Sequence, residues 1–162
     1  MEISKEFTFE ASHVLPRHPG KCSRLHGHSW KLLVVVSGEV DEATGFVMDY
    51  ATLKEFVEPL IESLDHRHLG QWVDKENQSR IPTDPAFFIG NTSHCLPGTN
   101  SDFYPSSENL IVWIAEYMSA LGYAKHNIAP GKFPWSRLEL NETCTSRCVL
   151  TREEYDKVTR NR

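Results

Sequence analysis

The sequence lacks the features of a membrane protein, a secreted protein and a nucleic-acid-binding protein. Its longest purely aliphatic run, Leu32 to Val36, is far shorter than the ~20 residues that span a bilayer. The first residues lack the charged and then apolar build of a signal peptide, so we expect a cytoplasmic protein with no membrane partner. Lys and Arg number 17 against 22 Asp and Glu, and the net charge of −5 argues against a nucleic-acid partner.

Cysteine is also scarce, with four residues in 162. Without a signal peptide a disulfide framework is not expected, because cytosolic thiols are kept reduced. On one extended strand Cys144 and Cys148 would lie ~13 Å apart, beyond the ~7 Å limit for a disulfide. Only a turn between them could bring them together, so we expect both thiols to be reduced and structural.

The length and composition are those of an ordinary globular domain. The chain is 40% apolar and 24% charged, which excludes a disordered chain, a collagen and a coiled-coil rod. A fold of this size buries roughly 70% of the surface that its unfolded chain exposes. We therefore predict a single domain over residues 1–162.

Hydrophobic periodicity predicts an α+β protein. Period-2 alternation indicates strands over Ile3–His13 and His26–Ser37. Apolar residues at helical spacing predict a helix over Tyr50–Leu64, in which Pro59 is expected to cause a kink or a break near Glu55. Further elements are predicted at 46–48 (a possible strand), 107–121 (a helix capped by Ser106), 137–143 and 148–150 (strands), and from 151 onward (a short helix or a frayed tail). The natural assembly is an antiparallel four-stranded sheet with two helices on one face, in the order ββααββ.

Eight histidines are the one compositional anomaly. On a strand, His26 and His28 point to the same face, and His13 ends the preceding strand on its apolar parity. If these strands pair, three imidazoles converge. Three neutral His ligands leave the fourth position of zinc open, which is typical of a catalytic zinc site. The alternative is that each histidine merely packs or caps a turn.

Three other positions carry candidate chemistry. Cys22 lies four residues before His26, where a nearby +2 ion would lower the thiol pKa. Asp65 next to His66 is a possible general acid–base pair, in which the carboxylate orients the imidazole. Glu142 lies on the apolar parity of its strand, where it could accept paired N–H donors of a ligand. The alternatives are a small buried thiol, a helix-end cap and a frayed strand end.

Together these motifs resemble the 6-pyruvoyl-tetrahydropterin synthases and, more closely, the 6-carboxytetrahydropterin synthases of queuosine biosynthesis. Three residues separate Cys22 from His26, as in the carboxy branch, whereas the pyruvoyl enzymes place five there. The matching stretches run in the family's order: Phe7-Thr8-Phe9-Glu10-Ala11-Ser12-His13, Lys21-Cys22-Ser23-Arg24-Leu25-His26-Gly27-His28, Gly45-Phe46-Val47-Met48-Asp49-Tyr50, Leu64-Asp65-His66, Pro105-Ser106-Ser107-Glu108-Asn109 and Glu142-Thr143-Cys144-Thr145-Ser146-Arg147-Cys148.

The resemblance implies the tunnelling fold (T-fold), in which subunit sheets join into a barrel around a trimer. Two trimers then stack into a homohexamer, with active sites between subunits. By resemblance the site residues have these roles: zinc ligands (His13, His26 and His28), general base (Cys22), proton relay (His66 supported by Asp65), pterin anchor and relay member (Glu142) and a second pterin contact (Glu108).

The reaction implied by the resemblance converts 7,8-dihydroneopterin triphosphate to 6-carboxy-5,6,7,8-tetrahydropterin, acetaldehyde and triphosphate, with zinc and without a redox cofactor. The alternatives are pyruvoyl-tetrahydropterin synthesis, a pterin aldolase acting on dihydroneopterin itself, and a non-catalytic zinc- or pterin-binding protein. One departure from the family is an extended loop at about 74–104, which is rich in Pro, Gly, Asn, Ser and Thr. Its Phe87, Phe88, His94 and Cys95 have no family counterpart, and it is interpreted either as a lid, interface or substrate determinant or as a variable surface loop.

Overall fold

The computed structural model describes residues 1–70, 88–89, 104–120, 128 and 132–160. Its elements are β1 (Glu2–His13), β2 (His26–Ser37), α1 (Tyr50–Leu64), β3 (Arg67–Leu69), β4 (Phe88–Ile89), α2 (Ser107–Ala120), β5 (Trp135–Asn141), β6 (Arg147–Thr151) and α3 (Arg152–Arg160), with a short 3-10 turn at Lys21–Ser23. No helix in these ranges is long and apolar enough to cross a bilayer.

The described strands form one sheet in the order β4-β3-β1-β2-β5-β6. β1, β2, β5 and β6 pair in antiparallel fashion, as the sequence predicts. The sheet is nevertheless mixed, because the short strands β3 and β4 add to the free edge of β1 in parallel. The α+β class is thus confirmed, with two strands and one helix more than the ββααββ prediction.

One face of the sheet carries the core. β1 buries Phe7, Phe9 and Ala11, while β2 buries Trp30 and Leu32. The apolar stripes of α1 and α2 join the same cluster, so both helices cover this face. The other face of these strands is polar and exposed, at Glu6, Thr8, Glu10, Ser29 and Lys31. This second face is where a ligand can approach the sheet.

In helix α1 the burial of apolar side chains outweighs the helix-breaking tendency of a proline. The predicted break near Glu55 is wrong, because α1 runs without interruption through Pro59. Pro59 lies on the exposed side of the helix, while Phe56 and Leu60 on either side of it are buried. Burying such side chains contributes roughly 1.5–3 kcal/mol each, which offsets a proline penalty of about 3 kcal/mol.

Two strand predictions also need correction. Residues 46–48 form a bend rather than a strand, since both edges of β1 and both edges of β2 are already paired. β5 ends at Asn141 instead of residue 143, because Glu142 N and Thr143 N donate to Ser146 O and start a turn. Most of the 74–104 segment, including Phe87, His94 and Cys95, lies outside the described residues, and of Phe88 only the backbone is described.

Candidate metal centre and active site

Three histidine side chains meet where β1 ends and β2 begins. His13 and His26 are direct partners across the β1–β2 ladder, and His28 faces Ala11 further along it. The ring centroids of His13 and His26 are 4.5 Å apart, and His28 lies 5.1 Å from His13 and 5.0 Å from His26. One ring nitrogen of each histidine lies within 4.8 Å of the other two. The three residues, here called the histidine triad, can therefore hold a metal ion.

Main-chain carbonyls fix the protons on two of these rings. His13 Nδ1 lies 2.8 Å from Pro105 O, and His26 Nδ1 lies 2.8 Å from Arg24 O. Because a carbonyl only accepts, each Nδ1 carries the proton, and each neutral ring keeps a lone pair on Nε2. These two Nε2 atoms are 3.0 Å apart. Two lone pairs facing each other at that distance repel, and a cation between them removes the repulsion.

Burial keeps the rings in the form that binds metal. The side chain of His13 is completely buried, and burial is the main cause that lowers its pKa to about 4. Burial also lowers the pKa of His28, while Glu142 opposes the shift. Trp30 packs edge-on against both rings, at 5.4 Å from each centroid. Metals bind the neutral imidazole, so no proton need leave His13 at neutral pH.

The residues present fit a divalent cation that prefers nitrogen ligands. Nε2 of His28 is buried and has no hydrogen-bond partner in the described part of the chain, as suits an atom that binds an ion. Glu142 Oε1 lies 3.4 Å from His13 Nε2 and 3.7 Å from His28 Nε2. A carboxylate this close adds its negative charge to the attraction. Carbonyl bonds to the distal ring nitrogens are the usual way in which proteins orient such ligands.

A cleft of about 670 Å³ opens beside the triad on the exposed face of the sheet. His28 and Glu142 line one part of it, and Lys31, Glu139 and Asn141 line another. Pockets of this size accommodate small organic ligands. Of the triad only His28 lines this cleft, so a small polar molecule there reaches the metal position from the side of His28 and Glu142.

The carboxylates of Glu108 and Glu142 both lie close enough to the Cys148 thiol to affect its pKa. Burial is the main cause that raises the pKa of Cys148 to about 11, and both carboxylates add to it. The neutral thiol donates to Ser107 O at 3.2 Å. Cys148 is thus a structural donor, whereas Cys144 is exposed, and the described cysteines (Cys22, Cys144 and Cys148) form no disulfide with one another.

The Asp65–His66 pair is held by the main chain of β1. Glu10 N donates to Asp65 Oδ1 at 2.7 Å, and His66 N donates to Glu10 O at 2.6 Å. The other oxygen, Asp65 Oδ2, lies 2.8 Å from His66 Nδ1. The Glu10 N–H, the largest cause, and the His66 ring hold the pKa of Asp65 below its ordinary value.

This clamp holds His66 in an uncommon conformation. Its φ of 55° lies in the left-handed region, which few non-glycine residues adopt. Its side chain is 80% exposed. Residues held in such a region cluster at functional sites, because the surrounding structure must compensate for the strain. The Asp65–His66 dyad is therefore preorganised, but it faces outward.

Cys22 lies in the loop that joins His13 to His26, within the 3-10 turn. Its carbonyl accepts from Leu15 N at 2.9 Å, which ties the two arms of the loop together. The thiol is partly exposed and does not belong to the metal-binding group. No hydrogen bond in the described part of the chain joins it to His66. Within the described residues of one protomer the candidate base and the dyad are therefore not joined by a hydrogen bond.

Sequence reasoning missed three parts of this site. Pro105 orients His13 through its main-chain carbonyl, although the two residues are 92 positions apart. No pattern of side chains in the sequence predicts such a main-chain contact. Trp30 contacts His13 and His28, but its place on the alternating apolar face of β2 indicates only a core residue. Glu139 is 9% exposed and is paired with Arg137 and Arg147 beside the cleft. Its place could have been predicted from the sequence, because alternation along β5 puts Glu139 on the opposite face of the sheet from the buried Leu138 and Leu140.

Comparisons with known proteins bear on this geometry. Residues 2–153 match the sequence model of a family described as 6-pyruvoyl tetrahydropterin synthase. The chain is 34% identical over 149 residues to the 6-carboxy-5,6,7,8-tetrahydropterin synthase of Synechocystis sp., covering 89% of this chain and 88% of that protein. It is 29% identical over 135 residues to the dihydroneopterin monophosphate aldolase of Pyrococcus furiosus, covering 83% of each.

Solved structures give the fold. The chain superposes on the Caenorhabditis elegans 6-pyruvoyl tetrahydropterin synthase with a TM-score of 0.61 at 21% identity, covering 93% of this chain and 94% of that one. The tunnelling fold expected from the sequence motifs is confirmed.

Proposed function

The chain belongs to the 6-pyruvoyl tetrahydropterin synthase family, and from this premise we propose that it is a zinc-dependent 6-carboxy-5,6,7,8-tetrahydropterin synthase. The proposed reaction converts 7,8-dihydroneopterin triphosphate and water to 6-carboxy-5,6,7,8-tetrahydropterin, acetaldehyde and triphosphate. Its place would be the cytoplasmic biosynthesis of queuosine or a related 7-deazapurine. The observation that carries the proposal is the convergence of His13, His26 and His28 beside Glu142, at the edge of a ligand-sized cleft.

Zinc would be held by the histidine triad through Nε2 of His13 and His26 and a ring nitrogen of His28. When bound, it would supply Lewis-acid polarisation of the hydroxyl groups on the substrate's side chain. Support comes from the chain itself: the facing Nε2 atoms 3.0 Å apart and the unpartnered, buried Nε2 of His28 both need a cation. Three neutral imidazoles are a ligand set typical of catalytic zinc.

Glu142 and Glu108 would recognise the pterin ring. A carboxylate accepts two parallel N–H bonds, which matches the adjacent N–H donors of a pterin. Glu142 lies in the turn at the rim of the cleft, next to His13 and His28. A ring anchored there would present its side chain to the triad.

Cys22 would remove a carbon-bound proton next to the ring. His66 would return a proton as the ring is reduced at the expense of the substrate's side chain, which is oxidised in the same step sequence. The thiolate, rather than the thiol, is the form of cysteine that reacts as a base or nucleophile. Asp65 would orient His66 and stabilise its charged form, since Oδ2 already holds Nδ1 at 2.8 Å. That bond leaves Nε2 of His66 directed away from Asp65 and available for proton transfer.

The active site would be completed between subunits of a homohexamer built from two trimers, each subunit being a single domain of residues 1–162. The support is that Cys22 and His66 make no hydrogen bond to each other in the described part of one protomer. His66 is also oriented by its own N–H bond to Glu10 O and by Asp65, which accepts from Glu10 N, although 80% of the His66 side chain is exposed. A second copy would bring a Cys22 to each His66.

The test is mass spectrometry of the products after adding 7,8-dihydroneopterin triphosphate to the zinc-loaded protein. The proposal expects 6-carboxy-5,6,7,8-tetrahydropterin together with acetaldehyde. A pyruvoyl product would instead assign the chain to the pyruvoyl branch. Cleavage of dihydroneopterin lacking the triphosphate would indicate an aldolase. No turnover with zinc bound would indicate a non-catalytic binding protein.

A further inference from the structure

The loop between β1 and β2 carries a concentration of positive charge beside the triad. Residues 14–25, here called the basic loop, contain Arg17, Lys21 and Arg24 and no Asp or Glu. The carboxylate-free stretch is longer still, since no acidic residue lies between Glu10 and Glu39. The whole chain has a net charge of −5, so this concentration of positive charge is local.

Ion pairing distinguishes the basic loop from the cations on the sheet face beside the cleft of about 670 Å³. On the exposed sheet face Lys31 pairs with Glu6, while Arg137 and Arg147 pair with Glu139. No ion pair in the described part of the chain involves Arg17, Lys21 or Arg24, and all three side chains are exposed. Unneutralised cations draw anions toward them. An anionic group bound near the triad is therefore attracted more strongly to the basic loop than to the paired cations of the sheet face.

The basic loop is tied directly to the metal ligands. It follows His13 and precedes His26. Arg24 O accepts a hydrogen bond from His26 Nδ1 at 2.8 Å. The Arg17 guanidinium lies 4.4 Å from the centroid of the Tyr104 ring. The next residue after Tyr104 is Pro105, whose carbonyl holds His13. Arg24 thus supplies one of the two carbonyls that orient the triad, and Arg17 contacts the residue that precedes the other.

The loop is also held in shape by its own hydrogen bonds. Leu15 N donates to Cys22 O at 2.9 Å, and Ser23 Oγ donates to Gly20 O at 2.8 Å. Arg24 N donates to Lys21 O at 3.0 Å. A loop fixed in this way loses little conformational freedom when it binds a ligand.

We propose that the basic loop binds the polyphosphate group of the substrate through Arg17, Lys21 and Arg24. The identity of the substrate rests on the proposed function, whereas the anion site rests on the charges and contacts above. In 7,8-dihydroneopterin triphosphate a three-carbon side chain carries hydroxyl groups and ends in the triphosphate. With the hydroxyls at the triad, the phosphates must lie within a few bonds of it. Guanidinium groups bind phosphate oxygens through paired N–H donors.

The probe is inorganic triphosphate, titrated calorimetrically into the full-length protein in both zinc-loaded and metal-free forms. We expect binding in both forms, because the loop and not the metal holds the anion. In the Arg17→Gln, Arg24→Gln double variant we expect the Kd for triphosphate to rise at least about tenfold, as two charge-assisted contacts are lost. Lys54→Gln removes an exposed cation of α1 and should leave the Kd unchanged.

The same variants separate this inference from the proposed function. Dihydroneopterin, which has no phosphate, should bind the double variant with the wild-type Kd. An unchanged triphosphate Kd in the double variant, or an equal loss in Lys54→Gln, would overturn the proposal even if turnover is normal. Loop-dependent triphosphate binding without any turnover would support the anion site and count against the proposed reaction alone.

Discussion

The histidine triad and the Asp65–His66 dyad are both attached to β1, yet they are built in opposite ways. His13 is completely buried and contacts β2, the turn at Glu142 and the carbonyl of Pro105. His66 is oriented just as firmly, by Asp65 and by the main chain of Glu10, but 80% of its side chain is exposed. All three candidate metal ligands thus come from one chain. The dyad, in contrast, is oriented on the surface of that chain.

The largest effect should follow from damage to the triad. His28→Ala removes one of three ligands and should lower metal affinity by at least about 100-fold, more than the loss typical of changes outside the ligand set. Activity should disappear with the metal. Elemental analysis after dialysis measures this, and full metal occupancy in the variant would contradict the ligand assignment.

Damage to the dyad should separate metal binding from turnover. His66→Ala removes an exposed ring that touches no triad residue, so metal content should stay at the wild-type level. Turnover should fall by roughly 10²–10⁴-fold, the usual contribution of a positioned acid or base. Elemental analysis and product formation are measured on the same sample. Unimpaired turnover would remove His66 from the mechanism.

A smaller effect should appear in the acid stability of the metal-free protein. His68 of β3 is completely buried, and burial lowers its pKa from 6.5 to about 4. Between these pH values the unfolded chain binds a proton that the folded chain does not. The free energy of unfolding should therefore be highest above pH 6.5 and fall progressively toward pH 4, by about 2–3 kcal/mol for this residue.

Urea unfolding at several pH values between 7 and 4 measures that loss. His68→Phe should make the free energy of unfolding depend less on pH, since it removes one of the buried histidines. The contribution of His13 to this pH dependence should remain. A pH dependence identical to that of the wild type would show that His68 is not kept neutral by the fold.

The parts of the molecule that follow from a repeated pattern were predictable. β2 and α1 have the predicted bounds, because long alternating or helical patterns specify both the element and its buried face. The triad was predictable for the same reason: His26 and His28 share a face by alternation, and pairing of the two strands adds His13.

What could not be predicted depends on contacts between distant segments. β3 and β4 have three and two residues, too few to show a period. The positive φ of His66 follows from bonds to Glu10, 56 positions earlier in the chain, and not from its sequence neighbours. The tautomer of His13 depends on a carbonyl 92 residues away. The site's residue types could therefore be read from the sequence, but their orientation could not.

The most direct test of whether Cys22 and His66 of one site come from different subunits mixes two inactive variants. Cys22→Ala and His66→Ala subunits are each expected to bind zinc and to lack turnover. If the site is shared between chains, unfolding and refolding them together at equal amounts should restore about a quarter of wild-type activity, because random assembly pairs intact halves at that frequency. Native mass spectrometry confirms that mixed oligomers have formed. Mixed oligomers without any regained activity would contradict the account and place Cys22 and His66 within one subunit or outside the mechanism.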